Sequence, residues 1–418
     1  MKTSNRMIRN IATNCIALSL LVCSVHIYAG EPVAYQTLFY KEYIQTVEEG
    51  NLGYIAEKFN IPIAQAEVWA AAEMPDPELE FEAADDAYSI QLGYTLELGG
   101  KRYARRRLAR SLAGQEQLAV TLYFQELRAE ATEAFLEAVL QKEILQFKQS
   151  SYEYMLQLSQ SDSIRYRLGE ITENDARQSR LEAASLLNEV YQQEAEYKAA
   201  LTVLNQYMGQ TAEILYEPHG DPGQIGLAYT LQDLLLIAKD NRVELMMAMK
   251  NSEIAMNQLK LVKAERRLDL GIFVGYEREW GGLRPTRDAL KGGIAIPLKF
   301  SNLNKGAVRA SRFEAEKSKV EYQDTELQLQ AEVTQAYFYY LAMEKQLRQF
   351  RSGLLEDTQK LLDGVVYTYK RGETDILEVL IAQRTYNEMQ EQYLETLKGY
   401  ASSLIELQRV CGIWTVDF

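Results

Sequence analysis

Residues Tyr88 to Arg102 read YSIQLGYTLELGGKR, and the facing of these side chains decides the fold. Tyr88, Ile90, Leu92, Tyr94, Leu96 and Leu98 share one parity, whereas Ser89, Gln91, Gly93, Thr95 and Glu97 share the other. This period of two predicts a β-strand with one apolar and one polar face. The surrounding chain has helical character instead. Of its eight prolines, none falls within 78–217 or 298–418, so both stretches permit long uninterrupted elements. A helix leaving the strand and running from about 101 to about 165 would be roughly 97 Å long.

Three further stretches alternate. ELEFEAA at 78–84 precedes the quoted strand across a tight Asp85-Asp86 turn. Later, Leu268, Leu270, Ile272, Val274 and Tyr276 share a parity, and so do Leu290, Ile294, Ile296 and Leu298 beyond the loop GGLRPTRD. The helical stretches carry heptads: Val333, Ala336, Tyr340, Met343, Leu347, Phe350, Leu354 and Leu361 follow steps of three and four, broken at Asp357. Val379, Tyr386, Tyr393, Tyr400 and Leu407 continue the pattern, with Ile376, Leu397 and Leu404 beside them. Such spacing predicts coiled-coil-like packing.

The chain also resembles itself. YRLGE at 166–170 answers YKRGE at 369–373, QYMG at 206–209 answers RVCG at 409–412, and one offset relates Gly169 to Gly372 and Gly209 to Gly412. A constant offset predicts two structurally equivalent halves. The division is 1–29 as a signal peptide, 30–225 as the first repeat and 226–418 as the second. Each repeat opens with helical sequence (about 35–72 and 230–267), then two strands, then a long helical hairpin.

Four two-faced strands per chain cannot be covered by helices this long, so their apolar face must meet something else. Lipid fits, since a membrane strand needs about 9–11 residues with apolar side chains outward. Open strand edges are not tolerated in hydrocarbon, so closure demands several chains, and three would give twelve strands. The competing reading is a soluble hairpin packed on a helix layer.

Lys2, Arg6 and Arg9 followed by the apolar run Ile11 to Val25 predict a secretory signal peptide cleaved after Ala29, with Cys23 raising a lipidation option. After processing, Cys411 and His219 stand alone, and the acidic balance, −14 for the full sequence, disfavours nucleic acid. There is no HExxH, GxSxG or P-loop sequence, and no cofactor or metal cage is expected. His219, in YEPHGDPGQ, reads as a loop residue. Lys101, Arg102, Arg105, Arg106, Arg107 and Arg110 crowd a helix start, where positive charge opposes the helix dipole. Contact with lipid headgroups at the inner face of the membrane, or an ordinary solvated helix start, accounts for them.

With MPDPELE before the first strand, LELGGKR after the second, AKDNRVEL, and YKRGETDILEVLIAQ, the mature chain resembles the TolC-like outer-membrane efflux proteins. LELGGKR is most similar to the branch that serves heavy-metal pumps. The resemblance implies a mainly α protein with a membrane β-barrel. Its homotrimer would form a twelve-stranded barrel continuous with a periplasmic α-helical coiled-coil barrel. A periplasmic adaptor and an inner-membrane pump of the resistance–nodulation–division type would complete the conduit, in the outer membrane of a Gram-negative bacterium. The strand Tyr88 to Leu98 would face lipid.

Gly169 and Gly372 would turn the chain at the closed tip. Arg165, Arg167, Leu168, Glu170, Lys370, Arg371 and Glu373 would meet the adaptor. Asp175 and Tyr369 match a gating aspartate and tyrosine, while the family's arginine is replaced by Thr374. Glu378 matches one acidic constriction residue, and Ile381 stands at the other such position. The expected function is a passive exit duct and not an enzyme. The alternatives are an exit duct for type I protein secretion and a soluble periplasmic coiled-coil scaffold.

Overall fold

The computed structural model describes residues 34–280, 286–298 and 304–418. The expected signal peptide with Cys23, and residues 281–285 of the GGLRPTRD loop, lie outside the described residues. The first half contains β1 (Ala34–Phe39), α1 (Tyr40–Gly50), α2 (Leu52–Lys58), α3 (Asn60–Ala70), β2 (Glu78–Ala84), β3 (Ala87–Leu96), α4 (Lys101–Leu168) and α5 (Glu173–Tyr207). Then come β4 (Ile214–His219), α6 (Leu231–Asn241), α7 (Val243–Glu265), β5 (Leu270–Glu279), β6 (Arg287–Ala295), α8 (Lys305–Gln349), α9 (Leu355–Lys370) and α10 (Ile376–Cys411).

The alternation in the quoted stretch is expressed as β3, which lies in a four-stranded antiparallel sheet of order β2-β3-β5-β6. Its register aligns like with like. Leu79 opposes Leu92, which opposes Val274; Phe81 opposes Ile90, which opposes Tyr276; and Tyr94 opposes Ile272, which opposes Ile294. Opposed residues share a face, so one side of the sheet is a continuous apolar surface. The other side carries Glu80 opposite Gln91, with Lys291 paired to Glu277. Beyond β3, Gly99 and Gly100 both take positive φ, 79° and 75°, to turn the strand into α4. That is a conformation other residues adopt only with strain.

The helix α4 spans 68 residues, about 100 Å at 1.5 Å per residue. It pairs with α5, α3 and α7 along its length, and α8 continues the layer on the far side of α7. The main core lies midway along these helices, around Tyr43, Phe135, Leu136, Leu201, Leu204, Leu404 and Ile405, all essentially without solvent contact. Tyr40 and Tyr43 of α1 pack on Phe135 with ring centroids 5.5 and 5.4 Å apart.

Two sequence expectations are corrected here. The helical stretch expected over 35–72 begins instead with β1, which pairs in parallel with β4 from Ala34↔Ile214 to Phe39↔His219. His219 is therefore a strand residue, its ring edge-on to Phe39 at 5.8 Å, and not a loop histidine. A pairing between strands so far apart in sequence leaves no local signal. The heptad after Leu347 also slips. A wide π turn at Phe350–Leu354, with Gly353 at φ 113°, adds to the helical repeat and rotates the next helical segment, α9. Leu361 is consequently exposed, while Thr358, Leu362, Val366 and Tyr369 turn inward.

Candidate functional site

Among the described residues the apolar sheet face has no covering layer. Leu79 (72% exposed), Phe81, Ile90, Leu92, Leu96, Leu98, Val274, Leu290 (86%), Ile294, Ile296 and Leu298 all open to the surroundings. Of the strand residues expected to face lipid, Ile90, Leu92, Leu96 and Leu98 are exposed, and Tyr88 and Tyr94 are half-buried. At one end of the sheet Tyr88 packs beside Tyr276 and Trp280, with centroids 6.1 and 5.7 Å away. The opposite end runs into the basic starts of α4 and α8. Among the described residues the outer strands β2 and β6 each have a neighbour on one side only.

At the other extremity, two helix turns lie side by side. Gly169 (φ 78°) and Gly372 (φ 76°) end α4 and the α9 segment in the same way. Gly169 N donates to Tyr166 O and Glu170 N to Arg165 O; Gly372 N donates to Tyr369 O and Glu373 N to Thr368 O. This is the left-handed helix stop in which glycine satisfies the last carbonyls. Among the described residues, chain neighbours aside, nothing lies within 4 Å of where a Cβ would stand at either position, so backbone conformation calls for glycine. Each return helix is capped: the Thr172 and Asp175 side chains form a reciprocal capping box, and Asp375 accepts from Glu378 N.

Between the turns sits a second, smaller core of Met155, Leu158, Ala183, Leu186, Leu362, Val366, Tyr369, Ile376, Val379 and Ala382. It holds a buried polar group. Tyr369 Oη donates to Asp162 Oδ1 at 2.9 Å, and neither side chain has appreciable solvent contact. The Arg165 guanidinium lies 4.9 Å over the Tyr369 ring, 3.9 Å from Asp162 Oδ1 and 3.3 Å from Glu170. The second oxygen of Asp162 is buried with no hydrogen-bond partner. Burial raises the Asp162 carboxyl above the usual carboxylate range, an effect that Tyr369, Ser179 and Arg165 partly offset and Asp175 reinforces. Tyr369 is likewise raised, first by burial and then by Asp162.

Within one chain, then, Tyr369 meets Asp162 of the outgoing helix, while Asp175 serves its own helix cap. The pattern Thr-x-x-Asp at 172–175 is a legible capping signal. Asp162 carried no local signal, because its partner lies far along the chain. Glu378 is exposed near Leu377 and Ile381, which are 53% and 58% exposed. Arg167, Leu168, Glu170, Lys370, Arg371 and Glu373 line the outer rim of the turns and are exposed, whereas Arg165 is largely covered. Tyr166, Tyr367 and Ile164 add exposed apolar surface there. Among the described residues no cluster of histidine, cysteine and carboxylate side chains could hold a metal ion. Nor is any helix among them long and apolar enough to cross a membrane.

Comparison with known proteins gives this arrangement a context. The chain is 23% identical over 353 residues to the cobalt-zinc-cadmium resistance protein CzcC of Cupriavidus metallidurans, covering 82% of this chain and 83% of that protein. Its fold matches CusC with a TM-score of 0.72 at 15% identity, over 92% of this chain and 96% of CusC. It also matches the outer membrane protein VceC from Vibrio cholerae with a TM-score of 0.70 at 16% identity, over 89% and 95% of the two chains. The profile of the outer membrane efflux protein family matches residues 234–413, which hold β5, β6 and the second helical hairpin, so this part of the chain carries that family's domain.

Proposed function

We propose that the protein is a passive exit duct of a tripartite efflux system. In this reading it spans the outer membrane of a Gram-negative bacterium as a homotrimer. The observation that carries the reading is a four-stranded sheet whose apolar face and two edges are open among the described residues, continuous with a helix about 100 Å long. Hydrocarbon satisfies such a face, and only closure satisfies its edges. Three chains joining β2 to β6 would make a twelve-stranded barrel. Phe313, Val320 and Leu327, seven apart on α8 and all exposed, supply an apolar seam for the neighbouring copy's helices.

The similar order of elements in 30–225 and 226–418 supports two equivalent halves. Their turns at Gly169 and Gly372 form the periplasmic tip, where the exposed Arg167, Leu168, Glu170, Lys370, Arg371 and Glu373 meet the periplasmic adaptor, while Arg165, largely covered, braces Tyr369 and Asp162. An inner-membrane pump, of the resistance–nodulation–division type, supplies the energy. The gate comprises Tyr369, held by Asp162 in its own chain, with Asp175 at the head of the return helix. Glu378, repeated three times around the axis, favours cations. The likeness to a cobalt-zinc-cadmium resistance protein supports heavy-metal cations as the cargo.

Conductance across a planar lipid bilayer tests this. The purified protein is expected to give small cation-selective steps, and Glu378→Gln to reduce the cation preference. Absence of any conductance from protein inserted in the bilayer would contradict the duct.

A further inference from the structure

The junction between sheet and helices is basic in a chain whose net charge is −14. Residues 99–114 hold six cations and no acid, and 304–313 hold three more and no acid. Three of the nine are spent inside the fold. Lys101 pairs with Asp269 at 2.5 Å, Arg105 with Glu97 at 2.8 Å, and Arg102 donates to the Ala72 carbonyl. Arg309 lies over the Phe313 ring at 5.7 Å. Arg106, Arg107, Arg110, Lys305 and Arg312 are exposed and make no ion pair among the described residues. Lys305 stands in the first turn of α8, where the dipole disfavours a cation, and the others follow within the next two turns of α4 and α8 with no ion-pair partner among the described residues.

Their direction can be read from the helices themselves. In steps of three and four along α4, Tyr103, Arg107 and Arg110 lead to Phe124, stacked on Tyr54 of α2 at 4.9 Å, and then to Phe135 under α1. In the same steps along α8, Lys305, Arg309 and Arg312 lead to Glu326, which pairs with Lys239 of α6 at 2.7 Å. The cations therefore lie on the side of the helical layer that α1, α2 and α6 cover further along. When such layers close into a tube, the covering elements lie outside it, so the cations face outward. Directly above them the uncovered sheet face begins, with Leu96, Leu98 and Ile296. Tyr103 (75% exposed) shares their face of α4, and Trp69 (72%) lies within a turn of the Ala72 carbonyl that Arg102 holds. Aromatic side chains with a polar edge favour the boundary between hydrocarbon and water.

We infer that Arg106, Arg107 and Arg110 on α4, with Lys305 and Arg312 on α8, form a collar that binds the phosphate headgroups of anionic phospholipids in the periplasmic leaflet. Each guanidinium or ammonium near an anionic surface contributes about a fivefold preference, and guanidinium matches phosphate in a bidentate manner. The collar rests on the proposed membrane barrel and fixes the depth at which that barrel sits.

The test is native mass spectrometry of the full-length protein from the outer-membrane fraction, delipidated and then offered phosphatidylglycerol or phosphatidylcholine. The comparison variant is Arg106→Gln/Arg107→Gln/Arg110→Gln, and Lys305→Gln/Arg312→Gln serves if the first fails to assemble. Wild type is expected to retain phosphatidylglycerol at least tenfold better than phosphatidylcholine. A variant that still assembles in the outer membrane is expected to lose most of that preference. Equal retention of the two lipids, or an unchanged preference in the variant, would overturn the collar while leaving the duct intact. Displacement of the lipid by millimolar inorganic phosphate would overturn it in favour of a free-anion site. Wild type missing from the outer-membrane fraction would overturn the duct reading and the collar together.

Discussion

The two cores of this chain are built on opposite terms. The midway core is large and aromatic, with Phe135 packed between Tyr40, Tyr43 and Phe418. The tip core is smaller and encloses Asp162, Tyr369 and part of Arg165. Burying a carboxylate costs free energy that its hydrogen bond and nearby cation only partly offset. The middle is therefore held by packing that has no alternative partner, whereas the tip is held by a few polar contacts that another arrangement could replace. This distribution fits the proposed duct, whose tip would open while its middle stays assembled. Between the two cores the hairpins meet through polar contacts, such as Ser151 with Asn387 at 3.0 Å.

The contrast can be broken at its strong end first. Phe135→Ala should cost about 3–5 kcal/mol, as cavity formation in a tight core does. It should lower the melting temperature of the whole assembly, read by circular dichroism in detergent. At the tip, Leu362→Ala should cost about 2–4 kcal/mol, whereas Leu361→Ala, one residue away, should stay within about 0.5 kcal/mol. Equal losses would mean that another chain covers Leu361. Tyr369→Phe leaves Asp162 buried without its donor, a penalty of about 1–3 kcal/mol. It should raise conductance and lower the melting temperature by less than Phe135→Ala does.

The smallest effect is one of pH. Because the folded-state carboxyl of Asp162 titrates above its ordinary value, the tip is most stable below the ordinary carboxylate value. It loses stability as pH rises through the elevated one. Conductance should therefore increase with pH across the window just above the usual carboxylate range. Asp162→Asn retains an acceptor for Tyr369 and removes the charge, so it should flatten that profile.

How far the sequence foretold this molecule depended on whether a signal was local. Alternation from Tyr88 to Leu98 and proline-free heptads marked β3 and the long helices, because each periodicity is written within one element. The glycine turns at 169 and 372 were legible for the same reason. The β1–β4 pair was not, since neither strand announces its partner. The π turn at Gly353 was also missed, because counting heptads assumes that the helical phase is never reset. At the candidate site, the resemblance points to Tyr369 with Asp175, whereas the structure sets Tyr369 against Asp162. Asp162 was not legible, because its role appears only when two hairpins lie together.

The central claim is that the uncovered sheet face closes with other copies inside a membrane. The mass of the intact protein, extracted in mild detergent from the outer-membrane fraction, tests it most directly. A trimer of processed chains that falls apart only on denaturation is the predicted result. A monomer or dimer found in the soluble periplasmic fraction, and missing from the membrane, would contradict the barrel and the duct built on it.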